Sequence, residues 1–428
     1  GTGPIRALWA HQTNGSDFYV VSGIGFYKVT GLTATPTLIG TVAGTGPVCF
    51  ADNGTQIFIA ANPNGYIYNE VTNVFAQITD PDFPGAVTVA YLDGYFVFNE
   101  PDSQRIWITA LLDGTSVDPL DFVSAEGSPD GVVAVFTDHR ELWVFGTDTT
   151  EVFYNSGASD FPLTRIPGAF NELGCAAPYS VAKMDNQIYW LGQDARGRGM
   201  VYRASGYIGQ RVSTHAVEWQ IQQYADIEDA TAYTYQQDGH SFYVLNFPSA
   251  NATWVYDAAT GAWHERAGFV NGDFTRHRAN NMCNFEGNIV VGDFENGNLY
   301  TFDLDVYTDN GQPQKWLRSW RALPTGANTL KRTAQHSLQL DCETGVGLNS
   351  GQGSDPQIML RWSSDGGHTW SNEHWTSMGK IGEYGARAIW RRLGMTLKIR
   401  DRVYEVSGTD PVRVYIMGAE LALSGTLY

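Results

Sequence analysis

Asn53-Gly54-Thr55-Gln56-Ile57-Phe58-Ile59-Ala60-Ala61-Asn62-Pro63-Asn64-Gly65-Tyr66-Ile67-Tyr68 decides the fold. The stretch reads turn, strand, turn, strand. Asn-Gly pairs accept the positive φ of a tight hairpin, and β-branched and aromatic residues suit a half-buried pleated surface. The same unit recurs along the chain. Asn14-Gly15 precedes Phe18–Val21, Asp93-Gly94 precedes Tyr95–Phe98, and His139-Arg140 precedes Leu142–Phe145. Asp185-Asn186 precedes Ile188–Leu191, Asp238-Gly239 precedes Phe242–Leu245, and Glu286-Gly287 precedes Ile289–Val291. Successive anchors from Gly15 to Gly287 lie 39, 40, 45, 47, 53 and 48 residues apart. A four-stranded propeller blade takes about 40–50 residues. Hairpin units that each bury a face against the next need radial closure to protect their edges, so the spacing predicts an all-β chain opening with a β-propeller of six or seven blades. One helix is expected, over Thr214–Tyr224, capped by Ser213 or Thr214 and held by Val217, Trp219 and Ile221.

The periodicity fades near residue 312, and the charge changes with it. Residues 1–312 carry 13 Lys/Arg against 35 Asp/Glu, whereas residues 313–428 carry 14 against 10. This divides the chain into an acidic propeller, 1–312, and a mildly basic domain, 313–428. Strand-like runs at Ser337–Asp341, Gln357–Trp362, Met395–Ile399 and Val412–Met417 make the second domain a smaller β-sandwich.

The 428 residues carry a net charge of -18, with 13% aromatics and 47 glycines. Duplex binding draws its affinity from cations that displace counterions from phosphate, so tight DNA binding is not expected of the chain as a whole. No apolar run approaches the roughly 20 residues of a membrane helix, and no membrane insertion is expected. The chain opens on Gly without a secretory signal, which suggests a processed or trimmed fragment. Cys49, Cys175, Cys283 and Cys342 form no CxxC pair and read as scattered core thiols.

Catalytic spacing is missing. The nine histidines form no HExxH, HxxxH or HxH pattern, and His264 and His277 read as surface residues. No nucleophile elbow or phosphate loop occurs. Asp303, Asp305 and Asp309 are carboxylate-rich but lack the ligand spacing of an EF-hand, so no metal or cofactor is expected. Ser363-Ser364-Asp365-Gly366-Gly367-His368-Thr369-Trp370 fits the Asp-box pattern, in which Ser363 and Asp365 bond the turn, Gly367 supplies positive φ, and Trp370 packs below. Asp-boxes recur in sialidases, and Thr164-Arg165-Ile166-Pro167 echoes a second element of that family. A sialidase-like propeller with an appended carbohydrate-binding domain is therefore the alternative reading. A single box outside the repeats, with no carboxylate-binding arginine cluster or nucleophile pair, reads instead as a structural turn. Arg387, Arg391, Arg392, Lys398, Arg400 and Arg402 form a basic cluster suited to docking an acidic protein, such as the propeller of a neighbouring copy.

The order of features then points to a family. Ser124–Val133 leads into Glu141-Leu142-Trp143-Val144-Phe145-Gly146 and Thr150-Glu151-Val152-Phe153-Tyr154. Later come Ser363–Ser371, Gly382-Glu383-Tyr384-Gly385 and Ala388-Ile389-Trp390-Arg391-Arg392-Leu393-Gly394. From about residue 50 onward the chain resembles the packaged-DNA stabilisation proteins of short-tailed bacteriophages, the tail hub or nozzle family. The resemblance implies a non-enzymatic virion protein assembled in the bacterial cytoplasm. It implies six copies in a ring below the portal and its adaptor. That ring would extend the DNA channel, help retain packaged DNA, and carry tail fibres or spikes and a distal needle or plug. An anionic channel wall would let DNA slide without sticking.

Overall fold

The computed structural model describes residues 1–11, 17–125, 127–159, 161–322, 332–396 and 402–425. They fall into two compact units: Gly1–Ala267 with Thr275–Phe302, and Gly268–Phe274 with Asp303–Tyr428. The boundary expected between 312 and 313 would cut the small pair formed by Thr308–Asp309 and Gln312–Pro313.

In the first unit seven antiparallel sheets follow one another along the chain. Blade 1 comprises Ile5–Ala10, Phe18–Ser22, Gly25–Val29 and Thr37–Thr41; blade 2 comprises Cys49–Asp52, Gln56–Ala61, Asn64–Asn69 and Val74–Gln77. Blades 3 and 4 begin with Val89–Leu92 and Val132–Asp138. In blade 5 the first position is split, Gly174–Cys175 and Ala182–Met184 both pairing with Gln187–Asp194. Blade 6 begins with Thr231–Gln237. Blade 7 has three strands, Ala279–Phe285, Asn288–Asp293 and Leu299–Thr301.

The expected turns explain the hairpins. Asp93-Gly94, His139-Arg140, Asp185-Asn186, Asp238-Gly239 and Glu286-Gly287 all have positive φ at both positions. Their flanking residues pair directly, as Leu92 with Tyr95 and Gln237 with His240, which gives two-residue hairpins whose twist matches that of the strands. Asn14-Gly15 lies outside the described residues.

Each neighbouring pair of blades shares one buried cluster. Tyr19 and Phe26 meet Ile57 and Tyr68 between blades 1 and 2, and Phe58 meets Phe96 and Phe98 between blades 2 and 3. Val97 meets Leu142 between blades 3 and 4, and Phe145 meets Trp190 between blades 4 and 5. Tyr189 meets Tyr243 between blades 5 and 6, and Val244 meets Val291 between blades 6 and 7. The ring closes where Phe18 of blade 1 packs on Phe285 of blade 7, their ring centroids 4.7 Å apart. Fully burying one such side chain contributes about 1.5–3 kcal/mol, so the seven clusters dominate the stability of this unit. Closure shares no strand: instead the side-chain amides of Asn280 and Asn281 donate to the Ile5 carbonyl at 3.2 and 2.9 Å. Gly292 permits the approach, because a Cβ there would sit 2.4 Å from Ile5 Cγ2.

The helix spans His215–Gln222. Val217 and Ile221 enter the cluster between blades 5 and 6, but Trp219 is 63% exposed because it lies on the opposite face at 3.6 residues per turn. Thr214 makes no side-chain cap. The entry is instead fastened by Ser213, whose hydroxyl donates to Glu218 at 2.6 Å.

The second unit is a β-sandwich. One sheet orders Trp316–Arg321, Val403–Gly408, Gln357–Ser363 and His374–Ser377; the other orders Ile389–Arg391, Thr333–Cys342 and Ile416–Gly425. Leu338, Leu340 and Trp390 of one pack against Ile358, Leu360, Tyr404 and Val406 of the other. The run expected at Val412–Met417 begins pairing only at Ile416, since Val412 is held in a turn by the Asp410 carbonyl. Residues 397–399 of the expected Met395–Ile399 strand lie outside the described set.

Candidate functional site: the basic edge and the axial cavity

The basic cluster is only partly a surface. Arg391 ends the strand Ile389–Arg391, and Arg392 follows at φ 62°. Both are exposed, as is Arg387, which donates to Gln339. Arg402 is not part of that face, which corrects the sequence reading. Its side chain is 1% exposed and donates to the carbonyls of Leu393 and Met395 at 2.9 and 3.2 Å. The guanidinium lies 5.5 Å from the Trp362 ring and 5.7 Å from the Tyr404 ring, and burial lowers its pKa. A planar, weakly hydrated cation can be enclosed in this way where a lysine could not. Lys398 and Arg400 lie outside the described residues.

Ser363 and Asp365 serve their turn. Ser363 Oγ accepts from the Gly367 amide at 2.8 Å, and Asp365 accepts from the Thr369 amide at 2.8 Å and its hydroxyl at 2.6 Å. The Ser363 hydroxyl, which donates to Asp365 at 2.6 Å, and then the Thr369 bonds hold the Asp365 carboxyl well below the usual carboxylate range. Gly367 has φ 103°, and Trp370 packs beneath the Arg361 guanidinium at 4.6 Å. Arg165, the arginine of the sialidase-like element, pairs with the buried Glu151 at 3.3 Å on the last strand of blade 4. Asp303 accepts from the Asp305 amide at 2.8 Å and closes a turn. Among the described residues no three His, Cys, Asp or Glu side chains gather as a metal site. His277 is partly buried rather than a surface residue. Burial first, then the nearby Arg266 and Arg278 charges, push its pKa down to about 3, and its Nδ1 accepts from the Ala279 amide.

A pocket of ≈ 270 Å³ is lined by residues of all seven blades, mostly from their first strands, with blade 5 contributing the turn residues Pro178, Tyr179 and Val181. Val48, Phe50, Val89 and Val135 give one side an apolar wall. The lining also includes Arg6, 6% exposed. Its guanidinium donates to the carbonyls of Gly46 at 2.6 Å, Gly23 at 3.1 Å, Val42 at 3.0 Å and Ala43 at 3.2 Å. Burial lowers its pKa, and among the described residues no carboxylate pairs with it. Sequence reasoning passed over this residue. The available signal was a lone cation inside the apolar run Ile5-Arg6-Ala7-Leu8-Trp9, one of four Lys/Arg in residues 1–150.

Beside the axis, His11 ties blade 1 to blade 2. Its Nε2 lies 2.9 Å from the Glu70 carboxylate and its Nδ1 3.5 Å from Asp52, while Tyr19 donates to Glu70 at 2.5 Å. The bonds to Asp52 and then Glu70 outweigh burial and lift the His11 pKa to about 10. Burial alone would raise the Glu70 pKa, but the bonds from His11 and Tyr19 hold it below the ordinary value.

Comparison with known proteins places this architecture. The family model described as Bacteriophage P22 Gp10, beta-propeller, matches residues 1–307, and that described as Bacteriophage P22 Gp10, beta-sandwich, matches residues 315–424. The tail hub protein gp10 of Salmonella phage P22 is 23% identical over 393 residues, covering 87% of this chain and 80% of the relative. Among solved structures, the extracellular domain of the putative one component system BT4673 from B. thetaiotaomicron is 10% identical over 92% of this chain and 54% of its own, with a TM-score of 0.46. The N-terminal domain of Nup159 is 10% identical over 70% and 90% of the two chains, with a TM-score of 0.43. With both domain models matched in order and together spanning most of its length, the chain belongs to the bacteriophage P22 Gp10 family, the tail hubs of short-tailed phages.

Proposed function

We propose that this chain is a structural subunit of a phage tail hub. Six copies form a ring below the portal and its adaptor, extend the DNA channel, retain the packaged genome, and anchor fibres or spikes and a distal needle or plug. The observation that carries this reading is the match of propeller and sandwich, in order, to the two domains of the family. On this reading the conduit is formed between copies and not along the axis of a propeller. The acidic propeller, with 35 Asp/Glu against 13 Lys/Arg over residues 1–312, suits a wall that repels phosphate.

Mass photometry followed by electron microscopy tests the ring. The expected particle is six times 47.1 kDa with sixfold symmetry, alone or on adaptor rings. A chain that stays monomeric at high concentration and in the presence of adaptor rings would sink the proposal. Reversing Arg391 and Arg392 together to Glu is expected to weaken ring formation while leaving the circular dichroism spectrum unchanged. Unimpaired rings would remove these two residues from the interface.

A further inference from the structure

Sheet edges expose unpaired backbone N–H and C=O groups, and proteins blunt them by keeping edge strands short or by placing cations and prolines on them. Most edges of this molecule follow that rule. Six of the seven outermost blade strands run only three to five residues. The seventh, Leu163–Asn171, carries Arg165 and Pro167 and is bulged against its neighbour. The strands of the two small two-stranded sheets are two to four residues long. In the sandwich, His374–Ser377 and Ile389–Arg391 are four and three residues long, and Trp316–Arg321 carries Arg318 and Arg321. Ile416–Gly425 breaks the rule. It is ten residues long, with one charge, Glu420, and no Lys, Arg or Pro. It pairs along one side with Thr333–Cys342, and among the described residues its other side pairs with no strand. No residue from Ile416 to Ser424 is buried, and Met417 and Leu423 are 63% and 37% exposed.

We propose that the open edge of Ile416–Gly425 pairs antiparallel with the same strand of a second copy of this chain, centred on Leu421. The backbone selects an extended strand as the occupant, because a strand offers the matching row of donors and acceptors. The rest of the molecule selects which strand. Every other outward edge among the described residues is short, charged or broken, so the edge of a second copy that can match this one is the same edge. Centred on Leu421, the register sets Leu421 against Leu421, Ala419 against Leu423 and Gly418 against Ser424. Glu420 then meets Ala422, so the single charge never faces its own copy, which would oppose pairing. Two three-stranded sheets become one sheet of six strands. The contact is twofold, whereas a ring is built from head-to-tail contacts, so this inference does not rest on the ring.

The test is sedimentation equilibrium of the full chain over a range of concentrations, without adaptor. A dimer of twice 47.1 kDa is expected, in reversible equilibrium because a contact this small is weak. Ala422 is exposed, so substitution there should leave the circular dichroism spectrum and the melting temperature of the monomer unchanged. Ala422→Asp sets a second carboxylate against Glu420 of the other copy and should weaken dimerisation roughly three- to tenfold. Ala422→Lys sets an ammonium there and should strengthen it by a similar factor. A chain that stays monomeric, or dimers that do not weaken with Asp and strengthen with Lys, would overturn the proposal. So would a wild type that passes from monomer to sixfold rings with no dimer between. Dimers that respond in these opposite senses, from a protein that never forms rings on its adaptor, would rule out the ring and leave this contact standing.

Discussion

Each unit of this protein encloses an arginine that pairs with no carboxylate among the described residues, and the two do it differently. In the sandwich, Arg402 is sealed between the Trp362 and Tyr404 rings and bonds two carbonyls. In the propeller, Arg6 bonds four carbonyls and borders a cavity. Both cations are stabilised by backbone dipoles, but only one has space in front of it. Enclosure without space is a packing device, whereas enclosure beside space leaves the surrounding carbonyls within reach of water. Counting acceptors alone would rank Arg6 as the more important to stability. Access of water ranks them the other way.

Exchange of each arginine for methionine breaks or sustains that distinction. Arg402→Met leaves the buried carbonyl of Leu393 and the partly buried one of Met395 without their donor, and should lower the unfolding free energy by about 3 kcal/mol in urea titrations. Arg6→Met should cost less, about 1–2 kcal/mol, because water entering the cavity can reach the freed carbonyls. A larger loss at Arg6 would mean that the count of acceptors outweighs solvent access.

His11 extends the contrast to a cation that does have carboxylate partners. Its pKa is raised from 6.5 to about 10, so protonated His11 contributes fully below about pH 6.5 and its contribution is lost as pH rises through about 10. Wild type should therefore lose about 1–2 kcal/mol more than His11→Gln between pH 6 and pH 10, measured by urea titration at each pH. Parallel pH curves for the two proteins would show that the clamp between blades 1 and 2 does not depend on charge. Glu70 works in the opposite direction. Its pKa is lowered, so its contribution is present above about pH 4.5 and lost as pH falls through the depressed value. The smallest effect is expected at Asp365, whose carboxylate only braces a surface turn. Asp365→Ala should lower the melting temperature slightly and leave ring assembly intact, and a failure of assembly would assign that turn to an interface.

Much of the propeller was legible because its turns are written in residues that tolerate positive φ. Asp93-Gly94 and Glu286-Gly287 announce their hairpins directly, and even His139-Arg140 marks one through spacing. The seventh blade was legible as a repeat, yet its having only three strands among the described residues was not, since strand pairing across the seam leaves no local pattern. Arg402 was misread because charge runs in sequence carry no depth. Its neighbours Trp362 and Tyr404 come from distant strands, and only their meeting turns a surface residue into a core residue. The pocket was invisible for the same reason, being assembled from segments of seven blades tens of residues apart.

The seam between the first and last blades also fixes an order of events. The Asn281 amide reaches the Ile5 carbonyl across 276 residues of chain. Closing a flexible loop of that length costs about 5 kcal/mol of chain entropy, against less for each blade formed from adjacent hairpins. Local blades therefore form first, and the circle is completed only after most of the chain is in place. Pulse-labelled hydrogen exchange should find the amides of Ala279–Phe285 protected later than those of Gln56–Ala61. Until that moment the unit is an open arc with two exposed ends, and those ends are where a crowded, newly made population is most vulnerable to joining one arc to the next.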